Sequence, residues 1–198
     1  MEGYVEVRWH GRAQQGIVTA AKMLGEAALL SGKYVQAFPE FGPERMGAPV
    51  KAFNRVSDEP IRLHCQVTRP DIVVIADPTL IGMDISGGMG VAGSVTDGTD
   101  EKAVFIVNTT KSAEQMRGEL GVGDGPAVFT VDASRISMES LGRHMPNAPL
   151  LGALSRVTSL VPLDALTSNF RDNYSKKFSA RVIEGNVNAI RRGYEEAA

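Results

Sequence analysis

Along the first forty residues the hydrophobic period changes twice. Tyr4–Trp9 (Tyr-Val-Glu-Val-Arg-Trp) alternates apolar with charged positions, the period-2 pattern of a half-buried strand. It runs into His10-Gly11-Arg12-Ala13-Gln14-Gln15-Gly16, a polar turn bracketed by glycines. From Ile17 to Leu30 the period becomes helical. Thr19, Lys22 and Glu26 lie three and four apart and mark one polar stripe on an alanine-rich segment. Gly32 stands where a helix C-terminal glycine belongs, and Tyr34–Phe38 resumes strand character. The unit is strand–turn–helix–strand, the usual opening of an α/β domain.

Residues 39–50 carry three prolines and two glycines, a composition that predicts a stiff irregular loop. Val50–Val56 and Ile61–Val67 read as two strands of a hairpin turned at Asp58-Glu59-Pro60. Asp71–Ala76 and Ala103–Val107 are continuous apolar runs, as in central strands covered on both faces. The glycine-rich stretch 82–102 between them predicts a loop, and Val128–Val131 a further short strand. From Pro149 the chain reads as helical, interrupted at Pro162. A last helix over Ser179–Glu196 carries an apolar stripe at Ile183, Val187, Ile190 and Tyr194. With no repeat, low-complexity tract or linker, residues 1–198 are expected to form one domain. The expected fold is three-layer α/β/α with a mixed, mainly parallel sheet, the hairpin at 50–67 being the reason for the mixture.

Charge and cysteine usage narrow the functions. A net charge of −2 gives no electrostatic reason for nucleic acid or an anionic membrane as partner. No apolar run approaches the roughly 20 residues that span a bilayer. The first residues read as a strand rather than a secretory signal, so the expected location is the cytoplasm. The single cysteine, Cys65, excludes an internal disulfide and a self-contained four-thiolate iron–sulfur cluster. His10, His64 and His144 show no metal-binding spacing. Any redox centre must therefore belong to another chain.

Candidate chemistry concentrates in two loops. The glycine-bracketed turn at 11–16 precedes a helix whose first N–H groups suit a phosphate or carboxylate, with Arg12 as an added donor fork; a merely structural tight turn fits the same residues. The dinucleotide fingerprint is not met, because positions 13 and 14 are Ala and Gln. Glu40, Glu44 and Arg45, interleaved with Phe41 and prolines, fit either a preset functional loop or an edge crossover. Gly123-Asp124-Gly125 opens like the diphosphate motif of thiamine enzymes, but Asn147 is followed by Ala148 and no strand leads in, so a polar turn is the reading. His64 and Cys65 are expected to be a satisfied histidine and a buried thiol on a strand, and Trp9 a core residue.

Read in order, several stretches resemble the gamma subunits of pyruvate:ferredoxin oxidoreductases, in the 2-oxoacid:ferredoxin oxidoreductase family. They are Arg8-Trp9-His10-Gly11-Arg12, Gln15-Gly16, the run from Gly32 to Arg45 with its Phe-Pro-Glu-Phe-Gly-Pro-Glu-Arg, Gly47-Ala48-Pro49, Ala52-Phe53-Asn54-Arg55, Val107-Asn108-Thr109, Pro146–Ala153 and Ala189–Tyr194. The resemblance implies a non-catalytic gamma subunit working beside alpha, beta and delta subunits. Those hold thiamine diphosphate, Mg²⁺ and [4Fe–4S] clusters; this chain alone is expected to hold no cofactor. The complex decarboxylates the oxoacid, reduces ferredoxin and passes the acyl group to coenzyme A. Gly11, Arg12, Gln14, Gln15, Gly16, Glu44 and Arg45 are then the candidates for contacts with coenzyme A or with the catalytic subunits. Gln14 departs from the family's turn, which has glycine there; if the position needs φ > 0, glutamine meets a steric cost. A gamma subunit for a different 2-oxoacid, a structural clamp, and a stand-alone nucleotide- or phosphate-binding unit are the alternatives.

Overall fold

The computed structural model describes residues 3–41, 47–85 and 93–198. Its strands are β1 (Tyr4–Arg12), β2 (Tyr34–Phe41), β3 (Pro49–Ser57), β4 (Ile72–Ile75), β5 (Val104–Asn108) and β6 (Ala127–Val131). Its α-helices are α1 (Ile17–Leu30), α2 (Ala113–Leu120), α3 (Ala133–Leu141), α4 (Asn147–Thr158), α5 (Leu163–Tyr174) and α6 (Ala180–Glu196). All six strands form one sheet in the order β2-β3-β1-β4-β5-β6. The β1–β4, β4–β5 and β5–β6 pairs are parallel, and β3 is antiparallel to both its neighbours. The sheet is thus mixed and mainly parallel, as expected, though the mixture has another cause.

No hairpin joins 50–56 to 61–67. Both edges of β3 are already filled, one by β1 and one by β2, so residues 58–70 find no ladder to join. They cross a face of the sheet instead. There the Leu63 carbonyl accepts from Gln36 Nε2 at 2.8 Å and the Gln66 carbonyl from Arg55 Nη2 at 3.1 Å. Cys65 and His64 are accordingly exposed, not buried. A second difference is that Pro39–Phe41 continue β2 rather than opening a loop. β2 is an edge strand, where a proline without N–H is tolerated.

Helix ends follow local chemistry. Gly32 (φ 81) closes α1 with the bonds of a Schellman motif, Gly32 N to Leu29 O and Lys33 N to Ala28 O. Ser112 and Gln115 form a reciprocal capping box at the start of α2. One face of the sheet (Val7, Trp9, Ala52, Val56, Val74, Ile106) packs under α1, α4, α5 and α6. The other face (Val73, Ile75, Phe105, Val107, Val128) packs under α2 and the segment holding Leu80, Ile85 and Val95. Trp9 is fully buried, and its Nε1–H donates to Asn54 Oδ1 at 2.9 Å.

Candidate functional site

β1 and β4 lie side by side and parallel, but the chain leaves them on opposite faces. From β1 it turns into α1, toward β2; from β4 it passes over the other face toward β5. The carboxyl ends of two such strands diverge into a crevice, the place where open α/β sheets present ligand-binding groups. The turn at 11–16 forms one wall of it, and Asp77 with the 3-10 turn Pro78–Leu80 that it caps after β4 forms the other.

Gln15 ties the walls together. Its Oε1 accepts from Arg12 N at 2.8 Å and its Nε2 donates to Asp77 Oδ2 at 2.9 Å. Arg12 meets the same carboxylate, with Nε 3.2 Å from Asp77 Oδ2, while Nη2 donates to Thr79 Oγ1 at 2.9 Å and Nη1 to the Gly47 carbonyl at 2.9 Å. Asp77 Oδ1 accepts in turn from Thr79 N and Oγ1. Burial pushes the Asp77 carboxyl up. The Thr79 bonds, the Gln15 bond and the Arg12 charge outweigh that and hold it below the ordinary carboxylate range. Arg12 is therefore a clamp across the crevice mouth, joining β1 to Gly47, Asp77 and Thr79, with its side chain still 28% exposed.

The glycines of the turn are sterically required. A Cβ on Gly11 would stand 2.8 Å from Ile17 Cγ2, and one on Gly16 (φ 76) 2.8 Å from Asn147 Nδ2. α1 follows Gly16 as its N-cap, and its first N–H groups have no side-chain cap. Asn147, 3% exposed, packs onto Gly16 with its Oδ1 unpartnered.

Gln14 is exposed and sits at φ 77, the left-handed region that glycine occupies without strain. Gln14→Gly relieves about 1–2 kcal/mol of that strain and loses about 0.5–1 to the freer unfolded chain. The expected net is a gain of roughly 0.5–1 kcal/mol, read by urea unfolding as a higher midpoint at unchanged slope. A lower midpoint would show the glutamine side chain to be holding the turn.

Of the residues expected at the site, Gly11, Arg12, Gln14, Gln15 and Gly16 come together on one wall of this crevice. Glu44 and Arg45 lie outside the described residues. Asp77 and Thr79 were not anticipated; the legible signal was an Asp-Pro-Thr directly after a central apolar strand. Also unanticipated is a buried polar layer below the rim. Arg8 and His10, on the face of β1 opposite Trp9, are 0% and 1% exposed, and Lys51 on β3 is 5% exposed. Gly123–Gly125 is the turn between α2 and β6, with Arg117 Nη1 donating to the Gly123 carbonyl. Among the described residues no three His, Cys, Asp or Glu side chains gather as metal ligands, and no helix is long and apolar enough to cross a membrane.

The crevice thus offers hydrogen-bond donors, a clamped guanidinium and a helix N-terminus without a side-chain cap: equipment for holding an anionic or polar group. Comparisons place the chain accordingly. Residues 6–196 match the family described as pyruvate ferredoxin/flavodoxin oxidoreductase, and the chain belongs to that family. Within it the chain is of the gamma-subunit type. It is 46% identical over 98% of its length to the pyruvate synthase subunit PorC of Thermotoga maritima, covering 94% of that protein. It is 43% identical over 97% of its length to the common gamma subunit of the pyruvate/ketoisovalerate oxidoreductases of Pyrococcus furiosus, covering 96% of it. The crystal structure of the Thermotoga maritima pyruvate oxidoreductase subunit superposes with a TM-score of 0.84, at 43% identity over 100% of this chain and 98% of that one.

Proposed function

We propose that residues 1–198 act as one gamma domain that has no activity alone and serves a cytoplasmic pyruvate:ferredoxin oxidoreductase, built with alpha, beta and delta subunits. The assembled enzyme converts pyruvate and coenzyme A to acetyl-CoA and CO2 and reduces ferredoxin. Thiamine diphosphate, Mg²⁺ and [4Fe–4S] clusters reside on the other subunits. The residues here do not fit those groups: the lone Cys65 is exposed and far short of four thiolates, and Gly123–Gly125 is a surface turn.

The crevice between β1 and β4 carries the finer reading. Its residues are suited to orienting a ligand: Asp77 is held ionised and is tied to Arg12, Gln15 and Thr79. In this reading the first turn of α1 and the Arg12–Asp77 clamp line the route of coenzyme A, whose phosphates suit a helix N-terminus without a side-chain cap. Arg45 is the second proposed cation. The shared gamma subunit of the Pyrococcus furiosus enzymes agrees with selectivity for the oxoacid lying elsewhere.

Native, oxygen-free isolation of the tagged chain tests the assembly. Thiamine- and cluster-binding chains are expected to co-purify with coenzyme A-dependent pyruvate oxidation. Recovery as a cluster-free monomer or homodimer would refute it, and titration of that species with NAD, ATP and coenzyme A would then test a stand-alone nucleotide site.

A further inference from the structure

Beneath the crevice rim three side chains, two on β1 and one on β2 across the intervening β3, each hold a buried polar atom without a partner: Arg8 Nη1, His10 Nδ1 and Glu40 Oε2. Arg8 and His10 are neighbours on one face of β1. His10 stands opposite Lys51 of β3, and Lys51 opposite Glu40 of β2. The other nitrogens of Arg8 are engaged. Nε donates to His10 Nε2 at 3.0 Å, and Nη2 donates to the carbonyls of Val95 at 3.1 Å and Asp97 at 2.6 Å.

These bonds settle the protonation of His10. Because Nε2 accepts the Arg8 proton, it carries a lone pair. The ring is neutral, since burial and then the charges of Arg8 and Lys51 hold its pKa well below the usual value. Its one N–H is then at Nδ1. The unpartnered set is therefore two donors, Arg8 Nη1–H and His10 Nδ1–H, and one acceptor, the Glu40 carboxylate. Arg8 and Glu40 attract each other electrostatically without a direct hydrogen bond, the situation in which an intervening water is expected.

We propose that a single ordered water molecule is a built part of this protein, accepting from Arg8 Nη1 and His10 Nδ1 and donating to Glu40 Oε2. Two acceptances and one donation match a buried water's usual complement of about three bonds. An anion is disfavoured by the Glu40 carboxylate and the adjoining Asp97, and a metal cation by the Arg8 guanidinium. The bridge joins β1 to β2 across β3. Through the other Arg8 bonds it reaches the carbonyls of Val95 and Asp97.

The test uses the full chain. A high-resolution crystal structure is expected to show density within hydrogen-bond distance of all three atoms. Nitrogen-15 spectra are expected to show a protonated Nδ1 and an unprotonated Nε2 for His10, with magnetisation transfer between its ring N–H and a long-lived water. Glu40→Gln, which keeps an acceptor oxygen, retains that transfer; Glu40→Leu abolishes it. An Nε2–H tautomer in the unaltered chain, no density at the three-atom site, or transfer that survives Glu40→Leu would each overturn the proposal.

Discussion

Gly193→Ala is expected to destabilise the protein by roughly 3 kcal/mol, and Gly152→Ala by a similar amount, from overpacking against an immovable backbone. α4 and α6 cross with main chains in contact. A Cβ on Gly193 would fall inside the carbonyl group of Pro149, and one on Gly152 against the Ile190 carbonyl oxygen and the Tyr194 nitrogen. Neither oxygen is the end of a flexible side chain, so the helices must separate and loosen the core around Leu151, Leu154, Val187 and Ile190. For a chain of this size the loss corresponds to a Tm lower by roughly 6–12 °C. Gly118→Ala is the control. That glycine is exposed within α2 with nothing near its Cβ direction, and alanine there is expected to add about 0.5–1 kcal/mol. Equal effects of the Gly118 and Gly193 changes would refute the close crossing.

The second large effect is on acid stability. The His10 ring is buried and neutral, its pKa lowered first by burial and then by Arg8 and Lys51. In the unfolded chain it titrates near its ordinary 6.5. Below that pH the unfolded state takes up a proton that the folded state refuses. Stability from this group is thus complete above pH 6.5 and falls as pH drops, by about 1.4 kcal/mol per unit until the folded-state pKa is reached. The expected result is a stability that falls as pH drops from 6.5 to 4.5, measured by urea unfolding across that range. The carboxylates with lowered pKa values, Asp77, Asp97, Glu184 and Glu196, add their own losses as pH falls below about 5. His10→Gln, which keeps an acceptor for Arg8 Nε and cannot be charged, is expected to flatten the upper part of this curve. A curve unchanged by that substitution would assign the acid sensitivity to other groups.

Much of the fold could be read from periodicity and caps. The β1–α1–β2 opening, the Gly32 stop and the central strands β4 and β5 follow from patterns confined to a few neighbouring residues. The placing of β3 could not. Val50–Val56 is a good strand beside any partner, and Ile61–Val67 alternates well enough to look like one. Only the sheet as a whole shows that β1 and β2 have taken both edges of β3. α2 and α3 are short and polar, and their legible signals were caps, Ser112 with Gln115 and Asp132 with Gly142, rather than stripes. At the site, Gly11–Gly16 could be found because a glycine turn between strand and helix is local. Asp77 could not be tied to it, since 62 residues separate Gln15 from its hydrogen-bond partner. The alternation of β1 suggested one solvated face. That face is instead covered, and Arg8, His10 and Lys51 are buried polar residues whose partners come from segments far along the chain.

The position of Gln14 shows how a departure from the family turn can be informative. Its φ of 77 confirms that the backbone there keeps a glycine-like conformation despite the side chain. The exposed glutamine stands two residues after Arg12 on that turn.

We propose that this crevice serves coenzyme A within the assembled enzyme, and steady-state kinetics of the complex carrying Arg12→Ala decide it. The expected result is normal assembly, a KM for coenzyme A raised about tenfold, corresponding to about 1.4 kcal/mol, and an unchanged KM for pyruvate. Normal assembly with both constants unchanged would contradict it.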